Sequence, residues 1–217
     1  MAGMKSKHLI RASLAIAVTA LGSARVVVAQ QLPTNLGFES HDSNSTPLGW
    51  LVSGKGFEIV VDSQTTMAGR FSLQIRRVTT AKDTGRGFAS VAQSYPVAVA
   101  AGRKLHLTGY IRTQDINTGF AGFWMRVDGP SGSLAFDNMQ ERAPHGTTPW
   151  TRYDIELPVD SGARNVIVGM LLPGDGTAWF DSLTFEVVGA PMPRAVMAFK
   201  AAARPPEDMT RLFTDAE

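Results

Sequence analysis

The chain has 217 residues, with 21 lysines and arginines against 19 aspartates and glutamates, and no cysteine. Without thiols there can be no disulfide, zinc–thiolate centre, cysteine nucleophile or redox pair, so a hydrophobic core must hold the fold. The first 29 residues contain four of the basic side chains and none of the acidic ones, leaving 17 basic against 19 acidic beyond them. No basic stripe remains to favour nucleic acid or an anionic lipid surface.

Lys5, Lys7 and Arg11 form a basic opening, and Ala12 to Leu21 is apolar but too short to span a bilayer. Val27-Val28-Ala29 then offers a small-residue cleavage site before Gln30. This pattern predicts a signal peptide over residues 1–29, export to the periplasm or the medium, and no membrane span after cleavage.

Residues 30–188 read as one β-sandwich domain. Asn35 to Glu39 is expected to open it as a strand. Phe57 to Val61 and Phe71 to Ile75 are rich in β-formers, and the polar stretch Asp62 to Arg70 between them suits a hairpin connection. Leu105, Leu107, Gly109 and Ile111 alternate with His106, Thr108, Tyr110 and Arg112, a period of two with one buried face. Ala121 to Asp128 is a further strand, closed by the turn sequence Asp128-Gly129-Pro130-Ser131-Gly132. Tyr153, Ile155 and Leu157 alternate with Arg152, Asp154 and Glu156, and the run around Val166 to Leu172 is apolar on both parities.

Gly176 to Glu186 makes the last strand, and its parity changes: Ala178 and Phe180 share one face, Leu183, Phe185 and Val187 the other. Such a switch requires a bulge, and Asp181 sits on it. The sequence thus predicts an all-β, antiparallel jelly-roll β-sandwich whose first and last strands lie side by side. Gly189-Ala190-Pro191-Met192-Pro193 is a linker, and residues 189–217 form a short tail with helical composition from Ala195 to Ala203.

Asn35 to Glu39, Gly69-Arg70-Phe71-Ser72-Leu73, Thr148-Pro149-Trp150-Thr151-Arg152-Tyr153 and the last strand together resemble the galactose-binding-like jelly rolls. That family includes the carbohydrate-binding modules of bacterial glycoside hydrolases. Gly122 to Asp128, Leu134 to Met139 and Gly146 to Trp150 look like auxiliary β-sandwich domains of bacterial hydrolases and regulators, whose ligands are mostly undefined. The resemblance implies a structural calcium ion held by Glu39 and Asp181 with backbone carbonyls. Read from the residues alone, the same two acids could cap strands or pair with arginine.

A sugar site needs an aromatic platform flanked by hydrogen-bonding groups. His106, Tyr110 and Arg112 share one parity of their strand, and Trp124, Arg126 and Asp128 share one parity of the next. Pairing of those strands would gather both sets on one ligand-binding face. Trp124 alternates with apolar Phe123 and Met125 and suits core or face equally; Trp50, Trp150 and Trp179 read as core.

No catalytic constellation stands out. Asp154 and Glu156 are ordinary neighbours on an exposed strand face, and neither Gly-x-Ser-x-Gly nor His-Glu-x-x-His occurs. The expectation is a secreted, non-catalytic module for carbohydrate or a similar polar ligand. The alternative is a structural or protein-interaction domain contacting an envelope protein.

Overall fold

A computed structural model describes residues 33–78, 87–97 and 100–189; the expected signal peptide and nearly all of the expected tail lie outside them. Ten strands follow in order: β1 (Leu51–Ser53), β2 (Phe57–Asp62), β3 (Ser72–Arg77), β4 (Phe88–Pro96), β5 (Lys104–Ile116), β6 (Gly122–Gly129), β7 (Gly132–Asp137), β8 (Gly146–Pro158), β9 (Asn165–Pro173) and β10 (Thr177–Val188). They form two five-stranded antiparallel sheets, β1-β4-β9-β6-β7 and β2-β3-β10-β5-β8. No helix occurs among the described residues, and none is therefore long and apolar enough to cross a membrane.

The core lies between the sheets. Val91, Phe123, Met125, Val168 and Met170 enter it from the first sheet, and Leu73, Ile75, Leu107, Ile111, Ile155 and Phe180 from the second. Each alternates along its strand with an outward residue, so the period of two in the sequence becomes one wall of the core. Gly109 of β5 admits the Phe123 ring from the opposite sheet, since a Cβ there would stand 2.7 Å from Phe123 Cζ. Phe123 in turn lies 5.9 Å from Phe180, a tilted pair that joins the layers.

The Asp128–Gly132 turn closes the β6–β7 hairpin as expected. The phase shift in β10 is also present: its pairing with β5 slips between Asp181 and Thr184, and Ser182 takes a positive φ of 52°.

The opening segment differs from expectation. Asn35 to Glu39 is a turn, with Asn35 at φ 54° and Phe38 at φ 58°. The Phe38 amide donates to Asn35 O at 3.1 Å, and the Asn35 side chain holds Ser40 and Leu48. An asparagine that tolerates left-handed backbone and bonds its own neighbourhood favours a turn over a strand. The segment still reaches β10, where the Leu183 amide donates to Leu36 O at 3.0 Å, and Phe38 and Phe180 share the core. Trp50 packs on Phe38 and donates to Asn35 O, which makes it a core anchor.

Candidate functional site

The outward residues of the second sheet form a graded polar face. On β5, His106 stands between Glu156 of β8 and Glu186 of β10, and Thr108 between Asp154 and Thr184. Tyr110 follows between Arg152 and Asp181, and then Arg112 beside Trp179. The end near His106 is acidic and internally paired. Lys104 meets Glu156, His106 Nε2 lies 3.5 Å from Asp154 Oδ2, and the Thr108 and Thr184 hydroxyls share a hydrogen bond.

The other end is aromatic and basic. Arg112 lies over the Trp179 ring at 5.8 Å, and Trp179 Nε1 donates to Asp62 Oδ2 at 2.8 Å. The β5–β8 register slips between Ile111 and Thr113, so that Pro149 and Trp150 together oppose Arg112. Proline has no amide to give to a ladder and is tolerated on an edge strand or at a bulge. Here β8 is an edge and Pro149 lies at the slip. Trp150 is half-buried and belongs to neither apolar cluster, so it is a surface aromatic rather than the core residue expected. Trp179 is buried, but on the outer side, beneath Arg112.

The five expected ligand residues do not converge. His106, Tyr110 and Arg112 share the outer face of the second sheet, with His106 about 20 Å along β5 from Arg112 at ~3.3 Å per residue. Trp124 and Arg126 lie on the outer face of the first sheet, on the far side of the core. The chain crosses between sheets after β5, so β5 and β6 are sequential without being neighbours.

Trp124 is also no platform. It is 1% exposed and packs with Ala92 and Leu171, with Phe120, Phe136 and Ile167 beside them. Its indole lies across Gly169 of β9, where a Cβ would come within 2.6 Å of Nε1. Arg126 is held along its own strand by Asp128, with Nε 2.9 Å from Oδ1. Trp150, which reads as core in the sequence, and Arg152, which is not among the expected ligand residues, complete the aromatic and basic end. The signal available for them was Pro149, an interruption that marks a bulge.

Glu39 and Asp181 converge on one loop, as a shared role requires, but the groups they meet are amides. Glu39 Oε1 accepts from the amides of Arg70 (2.8 Å) and Phe71 (3.2 Å). Asp181 Oδ2 accepts from Met67 (2.8 Å) and Ala68 (3.0 Å), and its Oδ1 from Ser182. The Arg70 amide, foremost, holds the Glu39 carboxyl below the usual carboxylate range. Burial raises Asp181 above it, against the opposing pull of its amides. Calcium wants six to eight oxygens. Among the described residues no group of three or more acids and histidines could hold a metal, and this donor set fits a loop clamp rather than a calcium shell.

No protein-family model matches the chain. An uncharacterized HTH-type transcriptional regulator of Bacillus subtilis (strain 168), YbfP, is 34% identical over 149 residues, covering 67% of this chain and 50% of that protein. The chain therefore spans about half the length of that curated relative, and the described residues contain no helix to answer to a helix-turn-helix. Among solved structures, the CBM22-1 xylan-binding domain of Paenibacillus barcinonensis Xyn10C matches with a TM-score of 0.51 at 16% identity, over 71% of this chain and 92% of that one. The Stig cyclase Fisc from Fischerella sp. TAU matches with a TM-score of 0.52 at 15% identity, over 76% and 98%. The chain has the fold of the galactose-binding-like jelly rolls, carbohydrate-binding modules among them.

Proposed function

We propose that the chain is an exported, non-catalytic module that binds carbohydrate on the outer face of the second sheet, at Tyr110, Arg112, Trp150 and Arg152. The observation that carries this is the β8 bulge, which sets half-buried Trp150 opposite Arg112 and beside Arg152, one strand from Tyr110. A sugar offers apolar C–H faces and a rim of hydroxyls, and this surface offers aromatic rings with flanking guanidinium donors. The xylan-binding neighbour adds support, since its fold carries a polysaccharide ligand on the same architecture. The bond network inside the acidic end, from Lys104 to Glu156, leaves that end as a solvated sheet surface.

A glycan array and pull-down on insoluble polysaccharides test the proposal. Binding should fall at least about tenfold in Trp150→Ala and Tyr110→Ala with the melting temperature within a few degrees of the parent. Unchanged binding in both variants overturns the site, and no binding to any glycan overturns the function. Export is checked separately by mass spectrometry of protein made in a bacterial host, which should begin at Gln30.

A protein-interaction role has its own observation. Leu48, Leu51 and Val52 are exposed around the short edge strand β1, Leu51 by 75%. In that reading an envelope protein, or the remainder of a regulator like the Bacillus relative, covers this edge. Leu51→Asp should then abolish co-purification of the partner while sparing glycan binding.

A further inference from the structure

Arg70, Arg76, Arg126 and Arg142 each lie against a carboxylate, on Glu39, Glu58, Asp128 and Asp137. Arg112 and Arg152 do not. Both are exposed, and neither makes an ion pair or side-chain hydrogen bond among the described residues, Arg112 having only the Trp179 ring beneath it. The acids that might neutralise them are engaged elsewhere. Asp62 accepts from Trp179 and from the Gln64 amide, Asp154 turns to His106, Glu156 meets Lys104, and Asp181 is closed under the 67–68 amides. On a chain that is slightly acidic overall beyond residue 29, two guanidiniums flank Tyr110 and Trp150 with no anion of their own among the described residues.

We infer that the ligand of this face is an anionic polysaccharide, its sugar rings lying on the Trp150 and Tyr110 end and its acidic groups meeting Arg112 and Arg152. This inference rests on the carbohydrate reading above. A guanidinium presents a planar fork of donors that matches a carboxylate or sulfate with two parallel hydrogen bonds, which an ammonium cannot do. Stacking on Trp179 holds the Arg112 fork in place before the ligand arrives, so less rotamer freedom is lost on binding. The acidic end of the same face, with Glu156, Glu186 and Asp154, repels an anionic chain and confines it to the other end.

The experiment is isothermal titration or affinity electrophoresis of the processed protein with polygalacturonate, dextran sulfate and neutral xylan. The expected result is binding to an anionic polymer that weakens as salt is raised, with xylan bound at least about tenfold more weakly. Preference between the polyuronate and the sulfated polymer tells which sugar-borne anion is read. Arg152→Ala, which removes no described contact, and Arg112→Ala should each lower anionic-polymer affinity about tenfold with little change in melting temperature, and Arg112→Lys should not restore it. Equal binding of xylan and the anionic polymers, or unchanged affinity in both alanine variants, overturns this inference and leaves the carbohydrate reading standing. Failure to bind any glycan overturns both.

Discussion

Trp124 and Trp150 show how one residue type takes opposite roles by position. Trp124 fills the space above Gly169 and closes the outer side of the first sheet, whereas Trp150 sits at a bulge on an edge strand with part of its ring in solvent. Truncating a fully buried aromatic removes its transfer free energy and leaves a cavity. Trp124→Ala should therefore lower stability by about 3–5 kcal/mol in chemical denaturation. The glycan affinity of the protein that remains folded should be unaltered. Gly169→Ala should act in the same direction, since its new methyl meets the indole and Val91 O at 2.4 Å. The alternation of Trp124 with Phe123 and Met125 was legible in the sequence. That its outward side was nevertheless sealed was not, because the seal comes from Phe120, Phe136, Ile167 and Leu171 on other segments.

At the scale of elements, the connection from β2 to β3 is tied down by two carboxylates from distant parts of the chain. Glu39 holds the Arg70 and Phe71 amides and Asp181 those of Met67 and Ala68, so the loop is fastened to the opening turn and to the β10 bulge together. Leaving two amides without an acceptor costs about 1–3 kcal/mol apiece when they are buried. Asp181→Ala frees these two amides and that of Ser182, and because Met67 and Ala68 are exposed to water it should cost about 1–3 kcal/mol in all; Asp181→Asn, which keeps an acceptor oxygen, should cost less. Because amides already engage these carboxylates, a chelator should leave the melting curve unchanged. A drop in melting temperature on chelation, absent in Asp181→Ala, would instead put an ion on this loop. The bulge itself was readable as a change of parity. The turn at Asn35 to Glu39 leaves no parity pattern, and its one signal is Asn35, which tolerates left-handed backbone.

For the whole molecule, the acid limb of stability follows from four carboxyls, of which Asp42 is held below the usual range by the Thr46 amide. Asp175 is pushed up by partial burial but pulled further down by the Thr118 and Asn117 amides, and Glu39 is likewise lowered. A lowered carboxyl contributes stability above its unfolded value and loses it as pH falls through the folded one; a raised carboxyl such as Asp181 does the reverse. The melting temperature should thus be flat from neutral pH down to about 5 and fall below about 4, the ordinary carboxylate range. Glu39→Gln with Asp175→Asn should flatten that fall, and Asp181→Asn should steepen it. The sequence by itself determined the strand class, the layered core and the parity of side chains along β5, β6 and β10, because alternation is a local property of a pleated chain. It left β4 unread, since the small and polar residues from Phe88 to Pro96 give little β signal. Only the tertiary structure decided that β5 and β6 belong to different sheets, parting Tyr110 from Trp124 and bringing Trp150 and Arg152 beside Arg112. Which strands become neighbours is settled by non-local pairing and by burial on both sides of the core, and no short stretch of residues encodes that.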